Sequence, residues 1–236
     1  MHIARKTAEE WIVDAESCLR GRFIRCVGGA SAFVIKPPLH ACEAEYFVRG
    51  LENGVFSIDD EGYVQSSVLP PSSRDSTRNK TLSLFWHRAG RRYLFREGVC
   101  QISTVAALKL KYCVPLDQIK MEPTCPDGLS WAVDILLKSP QGTNVAACEV
   151  KRDDRELKKL ISGFRSCCGV GLHSKKECKF SKNHPKFELC HSLRPEYFMA
   201  VSPGQEVCLQ LSYSGDFIEG AEVPLSSLLS KLLAST

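Results

Sequence analysis

Long apolar runs are what this 236-residue chain most plainly lacks. No stretch approaches the roughly 18–20 consecutive apolar residues that a membrane-spanning helix requires. The N-terminus, MHIARKTAEEW, meets acidic residues at once and has no signal-type apolar core, so secretion through a cleaved signal is not expected. Internal repeats and low-complexity tracts are missing as well, which excludes repeat architectures. Strong charge of either sign is absent. A net charge of +4 does not by itself imply a polyanionic partner, so the distribution of charge matters more than its total. The pair Gly28-Gly29 stands in no phosphate-loop pattern and reads as a turn.

Cysteine, by contrast, is plentiful. Twelve cysteines are scattered through the chain, from Cys18 to Cys208, several inside apparent core strands rather than spaced as a compact scaffold. Without a signal, that scatter predicts buried reduced thiols and an intracellular, cytoplasmic compartment. No cysteine stands in a protease-like context, so a cysteine nucleophile is not expected. Apolar content of 44% and charged content of 25% mark ordinary globular material rather than disorder. The length allows one large domain or two small ones.

Along the chain, residues 7–20 carry Trp11, Ile12, Ala15 and Leu19 at helical spacing, with Thr7 and Glu10 as a capping box. Arg22–Val27 and Ala32–Ile35 read as strands. So do Ala44–Arg49 and Val55–Ile58, flanking a Glu52-Asn53-Gly54 hairpin turn, and Tyr63–Val68. Residues 70–80, PPSSRDSTRNK, form a polar boundary or insert. A hairpin follows, Leu82–His87 with Arg91–Phe95. Gly98–Tyr112 then reads as a helix, Gln118–Met121 as a strand, and residues 153–165 as a helix with Leu157, Leu160, Ile161 and Phe164 on its apolar side. After a basic loop come strands Tyr197–Val201, Val207–Tyr213 and Phe217–Val223, and a terminal helix Leu225–Leu233. The expected fold is α/β (α+β), with an N-terminal mostly-β accessory region over 1–95 and a second domain over 96–236.

The informative stretch is Trp131–Lys151, WAVDILLKSPQGTNVAACEVK. Two apolar runs flank a Ser-Pro-Gln-Gly-Thr turn, which predicts a β-hairpin. Folded symmetrically about Gln141–Gly142, it places Asp134 opposite Glu149, and the two-residue period puts Lys151 on the same face as Glu149. Two carboxylates facing each other repel unless something offsets them, and a divalent cation is the commonest such partner. Asp134 stands mid-strand among Ala132, Val133 and Ile135, not at a solvated end.

An acid on the second strand and Glu-x-Lys on the third, in the order helix, three strands, helix, strand, resembles the PD-(D/E)XK nuclease superfamily over roughly residues 97–213. The resemblance implies a restriction-endonuclease-like mixed sheet flanked by helices. It also implies Mg²⁺-dependent phosphodiester hydrolysis, with Mn²⁺ as a substitute metal. On it, Asp134 is the first acid, Glu149 the second and Lys151 the lysine, and the metal sits on Asp134, Glu149 and the Val150 carbonyl. Many relatives add a glutamate from the first helix or strand, for which Glu97 is preferred over Glu122. Two departures stand out. Val133, not proline, precedes Asp134, and the literal Pro126-Asp127 falls in a turn, out of register with Glu149. Two further Glu-x-Lys matches, Glu156–Lys158 and Glu177–Lys179, lie in the helix and the basic loop.

Basic residues supply the expected nucleic-acid contacts: Arg155, Lys158 and Lys159 on the helix, and Lys175, Lys176, Lys179 and Lys182 in the loop beyond it, where Lys186 also falls. The same loop holds Cys167, Cys168, His173, Cys178, His184, Cys190 and His191. Cys168-x4-His173-x4-Cys178 copies the second half of a zinc knuckle, but Arg165 stands where its first cysteine belongs, so Zn²⁺ is the minor metal expectation. The leading expectation is therefore a Mg²⁺-dependent DNA endonuclease, with residues 1–95 recruiting substrate, a partner protein or a second copy. The alternative is a catalytically silent nuclease-fold module, zinc-organised or not, that binds nucleic acid or protein within a larger DNA-processing complex.

Overall fold

Thr7 opens the first helix, α1 (Ala8–Val27), with reciprocal capping. The Thr7 N–H donates to Glu10 Oε2 at 2.6 Å, and the Glu10 N–H donates to Thr7 Oγ1 at 3.3 Å. Ala15, Leu19 and Phe23, four residues apart, are buried along one side. That stripe runs on past Gly21 to Phe23, so the strand expected over Arg22–Val27 is instead the end of α1. The computed structural model from which this comes describes residues 6–27, 33–69, 82–88, 91–121, 133–168, 184–215 and 217–234. Within them the chain is mixed α/β and divides into two units, Met1–Cys113 and Val114–Thr236.

The second helix, α2 (Ala41–Glu52), corrects another expected strand, Ala44–Arg49. Tyr46, Phe47 and Val48 favour strands, but Ala44, Phe47 and Val48 also lie at helical spacing and are buried, and burial decides. His40 caps the helix with Glu43 in a capping box. Asn53-Gly54 ends α2 rather than turning a hairpin. The Asn53 N–H donates to the Arg49 carbonyl at 3.0 Å, and Gly54 takes φ +65°. Phe33–Ile35 forms no strand. The region before residue 96 is thus not mostly β. Its described strands are the short pairs β1 (Ser57–Ile58) with β2 (Val64–Gln65) and β3 (Phe85–Arg88) with β4 (Arg91–Leu94).

Helix α3 (Arg96–Leu110) packs on α2 and is buried almost all round. A side chain at Gly50 would meet the Phe56 ring at 2.4 Å and Ala106 at 2.9 Å, so glycine permits the close approach of the two helices. The buried Arg96 guanidinium pairs with both oxygens of the buried Glu43 carboxylate. The division at Cys113 assigns α3 to the first unit. That differs from the expected boundary after residue 95, which put this helix with the second domain.

The second unit is built on one six-stranded sheet in the order β10-β9-β8-β7-β6-β5. Its strands are β5 (Ile119–Met121), β6 (Ile135–Lys138), β7 (Asn144–Val150), β8 (Tyr197–Ser202), β9 (Gln205–Ser214) and β10 (Phe217–Val223). All neighbours are antiparallel except β7 and β8, which are parallel and therefore need a crossover. Helices α4 (Asp154–Cys168) and α5 (His184–Leu193) lie in that connection; α5 occupies part of the expected basic loop. Leu157, Leu160 and Phe164 of α4 and Phe187, Leu189 and Cys190 of α5 join Ala147, Phe198, Ala200 and Leu209 of the sheet in one core cluster. Phe164 stacks on Phe198 with ring centroids 4.1 Å apart. Helix α6 (Leu225–Leu233) packs against β7 and β9. No described helix is long and apolar enough to cross a membrane.

Candidate metal and hydrolytic site

The β6–β7 ladder positions the acids. Ile135 pairs with Cys148 as the last ladder step, and Asp134 and Glu149 are the next residues along. At Asp134 the chain bends out of the strand, and its carboxylate takes over the ladder's role: the Val150 N–H donates to Asp134 Oδ2 at 2.7 Å. Glu149 remains in β7, pairs with Ala200 of β8, and is buried. By the two-residue period it shares a face with Ala147, the face covered by the α4–α5 cluster. An acid so placed must find cationic partners or lose its charge.

It has two cations. Lys151 Nζ lies 3.0 Å from Glu149 Oε2 and 4.0 Å from Asp134 Oδ2, and donates to the Val150 carbonyl at 2.8 Å. Lys186 Nζ lies 3.3 Å from Glu149 Oε1. Burial first, then the adjacent Asp134 carboxylate, pushes Glu149 up to about 8, against the opposing pull of Lys186 and Lys151. Burial also raises the thiol of Cys190, beside Glu149, and that of Cys148, the next residue on β7. Both are poor thiolates and poor nucleophiles.

Asp134, Glu149, Val150 and Lys151 thus come together as expected. Glu97 does not join them within one unit: it lies in the first turn of α3, in the first unit. Arg155, Lys158 and Lys159 are exposed on α4. Glu122, Asp127, Lys175, Lys176, Lys179 and Lys182 lie outside the described residues, as do His173 and Cys178 of the zinc expectation. Of the other zinc candidates, His184 is buried with Nε2 3.1 Å from Glu188 Oε1, and Cys190 belongs to the surroundings of Glu149. Among the described residues no group of three or more His, Cys, Asp or Glu side chains is arranged to hold a metal.

The residue that sequence reasoning missed as a member of the site is Lys186. It looked like one lysine among several in a loop. Its signal was Pro185 in a first helical turn, followed by Phe187 and Cys190 at helical spacing, which marks an α5 packed on the core.

The donor set suits a hard divalent cation in kind: two carboxylates and one carbonyl, all oxygen. Each carboxylate oxygen can accept more than one partner, so the bond from Val150 does not exhaust Asp134. Two protein carboxylates are also enough for Mg²⁺, which retains several waters. No known family model, curated protein or solved structure matches the chain.

Proposed function

We propose that residues 114–236 form a Mg²⁺-dependent nuclease of PD-(D/E)XK type that hydrolyses DNA phosphodiester bonds. One observation carries the reading: Asp134 and Glu149 meet across β6–β7 with the Lys151 ammonium within 3.0–4.0 Å of both. The antiparallel β5–β6–β7 meander, helical crossover and parallel β8 support it as the strand order the resemblance implies.

Asp134, Glu149 and the Val150 carbonyl would hold the cation. When bound, it supplies charge neutralisation at the phosphate and acidifies water. Lys151 would hydrogen-bond the attacking water or the developing phosphoryl charge. Its position is firm: its own N–H donates to the Val201 carbonyl at 2.7 Å and its Nζ to Val150. Arg155, Lys158 and Lys159 give α4 an exposed basic side for phosphates.

Plasmid, single-stranded and branched DNA, with RNA as comparator, incubated with Mg²⁺ or EDTA test the proposal. Cleavage should require Mg²⁺ and disappear in Asp134→Ala. Cleavage that persists in EDTA or in that variant would point to another site or a contaminant.

A specific observation also favours a second reading, a silent nuclease-fold binding module. Both Glu149 oxygens already have ammonium partners, and Asp134 caps a ladder, so the cluster is self-satisfied without metal. DNA binding without cleavage in any divalent metal would select it.

A further inference from the structure

The cluster balances its charge with one ammonium more than a metal site needs. Once both are ionised, Asp134 and Glu149 carry two negative charges against the two positive ones of Lys151 and Lys186, and the Glu149–Lys186 contact is 3.3 Å. A divalent cation on the two carboxylates would neutralise them alone. Lys151 would then face the incoming phosphate, and Lys186 would be a surplus positive charge beside the ion, where repulsion is strong.

The two lysines also differ in how they are held. Lys151 is tied to the sheet through its main chain and through Val150. Lys186 arrives from the first turn of α5 on a flexible four-carbon stem; the two side chains are about equally open to water, 16% for Lys186 and 18% for Lys151, so the difference lies in the tether of Lys151 to the sheet. Of the two, Lys186 is the one that can withdraw.

We propose that Lys186 is an exchangeable counter-ion: it holds the cation's place on Glu149 and gives way when a divalent metal binds. This rests on the metal-site reading above and adds to it a residue that competes with the metal. Lys186 is a positioning residue for Glu149 in the metal-free chain.

The test is Mn²⁺ binding to the full-length chain, at a pH above the value of about 8 at which Glu149 gives up its proton, followed by the electron paramagnetic resonance of free Mn²⁺. Wild type is compared with Lys186→Met, Lys186→Arg and, as a site control, Asp134→Ala. Removing a competing ammonium should tighten Mn²⁺ binding on the order of tenfold in Lys186→Met, the size of effect a charge at this distance has on a carboxylate. Lys186→Arg should stay near wild type and Asp134→Ala should bind weakly. Should Lys186→Met fail to fold, Lys186→Gln removes the charge but keeps a donor to Oε1, and carries the same expectation. Unchanged or weaker binding in a folded neutral variant, with wild-type binding intact and dependent on Asp134, overturns this inference alone. Absence of Asp134-dependent binding in every protein overturns the metal site and this inference together.

Discussion

Asp134 and Glu149 face each other one step beyond the Ile135–Cys148 pair, one carboxylate bent out to bond the Val150 N–H and the other buried in the ladder. The asymmetry separates their behaviour. Glu149, pushed up to about 8, is largely protonated at neutral pH without metal. A cation must displace that proton.

Metal affinity should therefore rise with pH from 6 to 8 and level off above it. Binding near pH 7 should release about one proton, falling toward none near pH 9. Titration calorimetry of Mg²⁺ or Mn²⁺ in buffers of different ionisation enthalpy measures this directly. Affinity independent of pH from 6 to 8 would mean that Glu149 is not a ligand.

The same shift fixes the sign of a stability effect. Glu149 holds its proton to higher pH in the folded chain than in the unfolded one, where an ordinary glutamate titrates near 4.5. The folded state thus binds more protons between those values, and stability must fall as pH rises from about 4.5 to about 8. Urea midpoints in EDTA should show wild type losing stability relative to Glu149→Gln from pH 5 to pH 8. Parallel pH dependences in the two proteins would contradict the assignment.

How the acids come to meet was only half legible in the sequence. A symmetric turn about Gln141–Gly142 gave the Asp134–Glu149 pairing, and that pairing is the one the ladder leads to. The route is different. Lys138 pairs with Asn144, one residue tighter than the symmetric turn allows, and a bulge leaves Val145 unmatched before Leu137 pairs with Ala146. The shift introduced by the turn and that introduced by the bulge cancel. Neither has a strong sequence signal beyond Gly142, whose φ of +82° requires glycine in the turn.

The second unit was largely readable because its strands are short apolar runs punctuated by turn residues. The first unit was misread where two signals competed. Asn53-Gly54 serves helix ends as well as hairpins, and Tyr46-Phe47-Val48 suits a strand until Ala44 and Phe47 are seen to share a helix face. Lys186 was hidden because a site residue contributed by a packed helix cannot be told from a surface lysine until that helix is placed.

In the first unit, Arg96 is the buried partner of Glu43 and also donates to the Pro37 carbonyl at 3.0 Å and the Pro38 carbonyl at 3.2 Å. Arg96→Met leaves the Glu43 carboxylate buried without its guanidinium, and should cost about 3–5 kcal/mol. Chemical denaturation of the full chain measures it. A loss under about 1 kcal/mol would show that Glu43 finds another partner or takes up a proton.

In the second unit, Phe164→Ala removes the ring stacked on Phe198 from the cluster that also covers the Glu149 face of the sheet. It should cost about 3–5 kcal/mol. A near-neutral result would mean that α4 does not pack on the sheet as described.

The most direct measurement is anomalous diffraction from crystals of the chain soaked in Mn²⁺. One strong peak should stand within about 2.0–2.3 Å of an oxygen of both Asp134 and Glu149, with the Lys186 ammonium moved off Glu149. A peak elsewhere, or none with Glu149 still clamped between Lys151 and Lys186, would contradict a metal site at this place.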